Sequence, residues 1–267
     1  MNTAASAQIA MQFPDLQGRA VVVTGAGRSR GIGAAICRAF ADQGCNIFFT
    51  TNTSYDSQTY PDDPVKSGAG QLAEELRRRA VLASYIEADL AQPNCAEQIL
   101  NGAQELFGAP SILVNNAAHF MRDGFEKLDA RALDTHYAVN VRGAALLSVE
   151  FARRFSGKVG GRIIYLTSGQ DLSPMPGQLA YVASKGAITA FMRSFAQEVG
   201  RKGITVNAVD PGPTETGWMS EDLKASLIGQ SVVGRLGRPD DAARMVVFLA
   251  SAAAEWISGE VIHARGI

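Results

Sequence analysis

From Gly18 onward the chain repeats one alternation, in which a short apolar, β-branched run is followed by a longer stretch of helical period. That pattern builds βαβ units, and parallel strands covered on both faces read as continuous apolar runs. The strand candidates are Ala20 to Thr24, Asn46 to Thr50, Val81 to Ile86, Ser111 to Asn115, Arg162 to Leu166, Ile204 to Val209 and Glu260 to His263. Helical stretches run over Ile32 to Gly44, Gly70 to Arg79, Cys95 to Phe107, Ala130 to Phe155, Gln178 to Lys202 and Pro239 to Ala253. The expectation is an α/β domain, a doubly wound parallel sheet of about seven strands with helices on both faces. Two long connections, Thr51 to Gly68 and Asp210 to about Gly234, read as an insertion loop and a lid loop.

The chain has 267 residues, and its 25 Lys and Arg against 26 Asp and Glu leave a formal net charge of -1. Such a balance gives no electrostatic argument for a dedicated nucleic-acid or membrane-surface binder. Length alone allows one large domain or two small ones, and no composition break divides the chain, so residues 18–267 read as one domain behind a small-residue leader at 1–17 that could be loosely ordered. Cys37, Cys45 and Cys95 lie in no zinc or redox spacing, so a reduced, cytoplasmic protein is expected. The first eighteen residues carry no Lys or Arg, which excludes the basic start of a secretory signal, and no apolar run reaches the ~18 residues of a membrane span.

After the first strand, Thr24-Gly25-Ala26-Gly27-Arg28-Ser29-Arg30-Gly31-Ile32-Gly33 runs straight into a helix. Glycines permit tight turns and close backbone approach, and a helix N-terminus offers free N–H groups and a positive dipole end to a pyrophosphate. The second strand ends Thr50-Thr51-Asn52, without the acid that would bind the ribose hydroxyls of NAD and repel a 2′-phosphate. Thr51 is placed among the cofactor contacts. Arg28 and Arg30, not distinguished by sequence, are candidates to fork onto that phosphate, so NADP(H) is expected over NAD(H).

Tyr181 and Lys185 stand four apart in a helical stretch and so project from one face. A nearby ammonium favours a phenolate, and the expectation is that Lys185 lowers the Tyr181 pKa from its usual ~10 toward a useful acid-base range. Ser168 ends the Arg162 strand, at the sheet edge where ligands bind, and is placed to hold a substrate oxygen.

With these residues in view the chain resembles the classical short-chain dehydrogenase/reductase family over nearly its whole length from Gly18, most closely in look its 3-oxoacyl-[acyl-carrier-protein] reductase members. The motifs are the Thr24-Gly25 to Gly33 loop, Asp89-Leu90, Asn115-Asn116-Ala117-Ala118, Asn140, Ser168, Tyr181 with Lys185, and Pro211-Gly212. The resemblance implies a Rossmann-type fold and a tetrad of Asn140, Ser168, Tyr181 and Lys185 that interconverts a ketone and a secondary alcohol. In that implied scheme Tyr181 exchanges the proton, Ser168 orients the substrate oxygen, Lys185 holds the nicotinamide ribose and tunes Tyr181, and Asn140 anchors a water. Asp89 and Leu90 would meet the adenine, Asn116, Ala117 and Ala118 would line the cofactor, and Pro211, Gly212 and Thr214 or Thr216 would bracket the carboxamide. A homotetramer through the Ala130 and Gln178 helices is implied as well.

Two departures stand out. Five residues rather than three separate Gly25 from Gly31, which enlarges the loop, and Ala264-Arg265-Gly266-Ile267 replaces the common acid and paired glycines, a change expected to touch subunit packing. Enoyl reductases of the superfamily also enlarge the loop but space Tyr and Lys more widely, which favours carbonyl chemistry here. The expected substrate is a small-molecule carbonyl or acyl thioester, with a 3-oxoacyl thioester foremost and a general carbonyl, steroid or sugar as alternatives. A catalytically silent NADP(H)-binding regulator is the alternative of another class. His119, His136 and His263 match no metal spacing and no metal site is expected; only His119, with Phe120 and Met121, is placed to line the pocket, while Met175, Pro176, Trp218 and Met219 border the substrate or pack the lid.

Overall fold

A computed structural model describes residues 12–60, 68–157 and 160–266. All seven expected strands form one parallel sheet: β1 (Ala20–Val23), β2 (Asn46–Thr51), β3 (Ala83–Glu87), β4 (Ile112–Asn115), β5 (Gly161–Leu166), β6 (Ile204–Asp210) and β7 (Val261–His263), in the order β3-β2-β1-β4-β5-β6-β7. The chain winds outward from β1 to β3, then returns to lay β4 on the other side of β1. This switch opens a crevice beyond the carboxyl ends of β1 and β4.

Side chains alternate across the strands and divide between two cores. Val21, Val23, Ile47, Phe49, Ile112, Val114, Ile164 and Leu166 pack one face against α1 (Ile32–Asp42), α3 (Gly68–Arg77) and α9 (Pro239–Ala250). Val22, Phe48, Leu113, Ile163, Tyr165, Val206 and Ala208 pack the other against α4 (Cys95–Phe107), α6 (Ala144–Arg154) and α7 (Leu179–Val199). Two helices stand in stretches expected as loops. The first is α2 (Thr53–Thr59), within the Thr51 to Gly68 insertion and capped by the Asn52 side chain on the Tyr55 amide; the second is α8 (Glu221–Gln230), within the lid and capped by Ser220 on Leu223. Neither buries a residue, so neither carries the apolar stripe by which a helix is read. The rest of the insertion, 61–67, lies outside the described residues.

The expected Ala130 helix is three pieces in line: α5 (Ala130–His136), a π-helical turn (Tyr137–Gly143) and α6. The leader also needs correction. Residues 1–11 lie outside the described residues, but 13–17 are docked: Pro14–Leu16 form a 3-10 turn, the Phe13 amide donates to Gln43, the Ala252 amide donates to Asp15, and Leu16 is fully buried. Leu16→Ala is expected to cost about 2–5 kcal/mol by removing a buried side chain from a packed core, a loss that denaturant unfolding measures directly.

Candidate active site and cofactor cleft

The crevice is a cleft of about 1480 Å³, above the ~300–1,000 Å³ usual for a single small ligand, and Gly25, Arg30, Asp89, Asn116, Ser168 and Tyr181 are among the residues that line it. One end is built on the glycine turn. The N-cap of α1, Gly31, makes no side-chain cap hydrogen bond, so the amides of the first turn are left open to an anionic ligand. Two glycines there are sterically required. A Cβ on Gly33 would lie 2.5 Å from the Gly25 carbonyl and 2.7 Å from Asn116 Nδ2, and Gly25 combines φ of +70° with a Cβ position 2.8 Å from Ala117 Cα. The Thr24 hydroxyl accepts the Asn116 and Ala117 amides, each at 3.0 Å, and Asn116 Nδ2 donates back to the Thr24 and Gly25 carbonyls, each at 2.9 Å. A dinucleotide fits this cradle. Its pyrophosphate would meet the α1 amides, its adenine would lie beside Asp89 and Leu90, and its nicotinamide would lie beside Pro211, Gly212, Thr214 and Thr216, all of which line the same cleft with Ile32, Thr51 and Ala118.

The two arginines differ in structure. Arg28 reaches across the cleft, donating to the Thr216 carbonyl at 2.6 Å and lying 3.4 Å from the Tyr60 ring centroid, a cation–π contact. Arg30 is exposed on the cleft wall and forms no hydrogen bond or ion pair with the described residues.

At the other end the four expected catalytic residues come together. Lys185 is buried and donates to the Leu166 carbonyl at 2.7 Å, and its ammonium stands 5.6 Å from the Tyr181 ring centroid. Burial draws Lys185 down from 10.5 to about 8. It pushes Tyr181 up to about 12, a rise only partly offset by a hydrogen bond with Ser168. The shift runs opposite to the expected depression by Lys185: desolvation of the phenol is the largest cause, and Asp210, Tyr55 and Tyr60 push the same way. Asn140, on the π turn, is wholly engaged: Oδ1 accepts the His119 amide at 2.7 Å, and Nδ2 donates to the His119 carbonyl and to Ser184 Oγ, each at 2.9 Å. It clamps the strand-end loop to the catalytic helix.

Several contributors had no sequence signal. Asp123 caps α7 from 56 residues away, accepting the Leu179 and Ala180 amides at 2.6 and 2.8 Å. From α2, the Tyr55 hydroxyl accepts the Phe120 amide at 3.0 Å and its ring lies 5.5 Å from His119; Phe120 in turn meets Tyr181 edge-on at 5.1 Å. His119, Phe120, Met175 and Trp218 line the cleft as expected, whereas Met121 and Pro176 are exposed outside its lining and Met219 is buried. His136 is buried, with Nδ1 on the Ala132 carbonyl and Nε2 accepting the Met121 amide. Among the described residues no group of three or more His, Cys, Asp or Glu could hold a metal, and no helix is long and apolar enough to cross a membrane.

The family described as Enoyl-(Acyl carrier protein) reductase matches residues 25–266. An uncharacterized oxidoreductase of Bacillus subtilis is 48% identical over 94% of this chain and 96% of its own length. A 3-oxoacyl-[acyl-carrier-protein] reductase of Staphylococcus epidermidis is 31% identical over 93% of this chain and 98% of its own. Among solved structures, a short chain dehydrogenase from Burkholderia cenocepacia in complex with NADP superimposes with a TM-score of 0.83 at 30% identity, covering 94% of this chain and 98% of that one.

The lowered Lys185 pKa has a sign that stability measurements can read. Between about pH 8 and 10.5 the unfolded chain holds a proton that the folded chain has released, so this group adds stability as pH rises, while below about 8 its burial penalty is constant. Relative to Lys185→Met, the wild-type protein without cofactor is expected to gain stability from pH 7.5 to 9.5 in denaturant titrations; a difference independent of pH would contradict the assignment.

Proposed function

This chain belongs to the short-chain dehydrogenase/reductase family, and we propose that it is an NADP(H)-dependent oxidoreductase that reduces a ketone to a secondary alcohol through Ser168, Tyr181, Lys185 and Asn140. The observation that carries the reading is the convergence of Ser168, Tyr181 and Lys185, with Asn140 buried behind them on Ser184, at one end of a cleft whose other end is a glycine cradle. The four-residue spacing of Tyr181 and Lys185 supports carbonyl rather than enoyl chemistry. NADPH, when bound, supplies the hydride to the carbonyl carbon.

The chain's own residues manage the oxygen. Ser168 donates a hydrogen bond to the substrate oxygen and fixes it near Tyr181, which at neutral pH carries its proton because burial holds its pKa up to about 12. As negative charge grows on the substrate oxygen, the phenol releases its proton to it, and the buried Lys185 stabilises the phenolate left behind. Lys185 is held for this by the Leu166 carbonyl, and Asn140 keeps the His119 loop and Ser184 in register. Tyr181→Phe is expected to lower kcat about 10²–10⁴-fold, the range of lost general-acid catalysis, while changing the Kd for NADPH less than about threefold. NADPH binding with no Tyr181-dependent turnover across a panel of 3-oxoacyl thioesters, ketones, steroids and sugars would favour the silent regulator instead.

The preference for NADPH over NADH rests on Arg30, a cleft-wall cation without another partner among the described residues, and on the NADP complex of the Burkholderia cenocepacia relative. Arg30→Ala is expected to raise KM for NADPH at least about tenfold and to leave KM for NADH little changed. Equal effects on both would remove Arg30 from phosphate recognition. The 3-oxoacyl thioester is the narrower substrate reading, supported by the Staphylococcus epidermidis relative. Three buried, unpaired cysteines support a reducing compartment such as the cytoplasm. Exposed apolar side chains at Leu133, Tyr137 and Leu146 support the homotetramer, which light scattering would report as four times the 28.3 kDa chain mass.

A further inference from the structure

Of the unusual C-terminal residues, Arg265 lines the catalytic cleft. β7 pairs with β6 so that His263 lies opposite Asp210, and Arg265, two residues on, passes beneath the turns that follow β5 and β6. Its Cα and Cβ each lie 3.0 Å from the position of a Cβ on Gly212, and its Nη1 lies 1.9 Å from that of a Cβ on Gly169. No other residue type fits at Gly169 without moving this guanidinium. Gly169 is bonded to Ser168, and consecutive Cα atoms are ~3.8 Å apart, so the cation sits within about one residue of the group that holds the substrate oxygen.

Arg265 is also poorly satisfied. A guanidinium carries five N–H donors, yet among the described residues Arg265 forms no hydrogen bond, and its Nε is buried without a partner. Among the described residues its one ionic neighbour is Asp210, 3.5 Å from Nη1, and only 17% of the side chain is exposed. Asp210 has better partners: Oδ1 accepts the Gly212 amide at 2.9 Å, and Oδ2 faces His263 Nδ1 at 3.0 Å, whose other ring nitrogen is 3.5 Å from Asp171. Holding a largely buried cation against a single long ion pair costs stability, and a cost of that kind is recovered when a ligand supplies the missing acceptors.

We infer that Arg265 is a specificity-determining residue that receives a carboxylate carried by the carbonyl substrate, so that short-chain oxo acids replace the 3-oxoacyl thioester as the preferred substrates, and neutral ketones and esters are poorer. The inference rests on the carbonyl-reductase reading. A planar carboxylate offers two oxygens to the fork of a guanidinium, and the closeness of Gly169 to Ser168 sets the distance from anion to carbonyl at a few carbon atoms.

The test uses acetoacetate and ethyl acetoacetate, which share one ketone and differ in the charge. With NADPH, the wild-type ratio of kcat/KM for acid over ester is expected to fall at least about tenfold in Arg265→Gln through KM for the acid, and to be partly retained in Arg265→Lys, which keeps the charge without the fork. A ratio unchanged in both variants, or a wild-type enzyme that reduces the ester and not the acid, overturns the inference. If neither compound is reduced, the wider carbonyl panel decides the reductase reading separately, and binding decides the role of Arg265. Acetoacetate should then raise the Tm of the wild-type protein, raise that of Arg265→Lys less, and leave that of Arg265→Gln unmoved, whereas no shift, or equal shifts in all three, would discard it.

Discussion

One hydroxyl ties the two halves of this sheet together. Thr24 follows β1, the strand from which the chain winds in both directions, and its Oγ1 accepts two amides from the start of the loop after β4. In an open parallel sheet the strands on either side of the winding switch diverge at their carboxyl ends, and the backbone there lacks ladder partners. The Thr24–Asn116 exchange supplies those partners with side chains, fixes the width of the crevice, and leaves the α1 amides unspent. The glycine turn, the His119 loop and, through Asn140, the catalytic helix are all referenced to this point.

Electrostatics at the other end follows from burial rather than from pairing. Tyr181 and Lys185 share one face of α7, but desolvation favours the neutral form of each. A phenol that keeps its proton is suited to giving it to a developing oxyanion, and an ammonium that is costly in a dry site interacts strongly with whatever negative charge appears beside it. The arrangement stores little in the resting protein and becomes favourable as the substrate oxygen gains charge.

The strands were legible because each is buried on both faces and so reads as an unbroken apolar run, as in Val21-Val22-Val23 or Ile112-Leu113-Val114. Helices α1 and α4 were legible from their apolar stripes. Helices α2 and α8 were not, since neither buries a side chain and their caps, Asn52 and Ser220, are equally common in turns. The tetrad could be named from spacing, yet the direction of the Tyr181 shift could not, because desolvation is a property of the assembled site. Nor could sequence separate Arg28 from Arg30; the partners that distinguish them, Thr216 and Tyr60, lie 188 and 32 positions away along the chain. Arg265 read as a matter of subunit packing until the short glycines at 169 and 212 gave it room beside Ser168.

The long-range cap on α7 bears on the order in which the site is made. A helix of 21 residues can hold its middle by its own hydrogen bonds, but its first turn has amides with no internal acceptor, and here these are met by Asp123 rather than by a residue next to the helix. The carboxylate arrives only when the loop after β4 has docked. Tyr181 lies two residues inside that first turn, so the orientation of the proton donor depends on the docking of the 119–129 loop, and loosening of that loop would remove acceptors from the helix at its catalytic end.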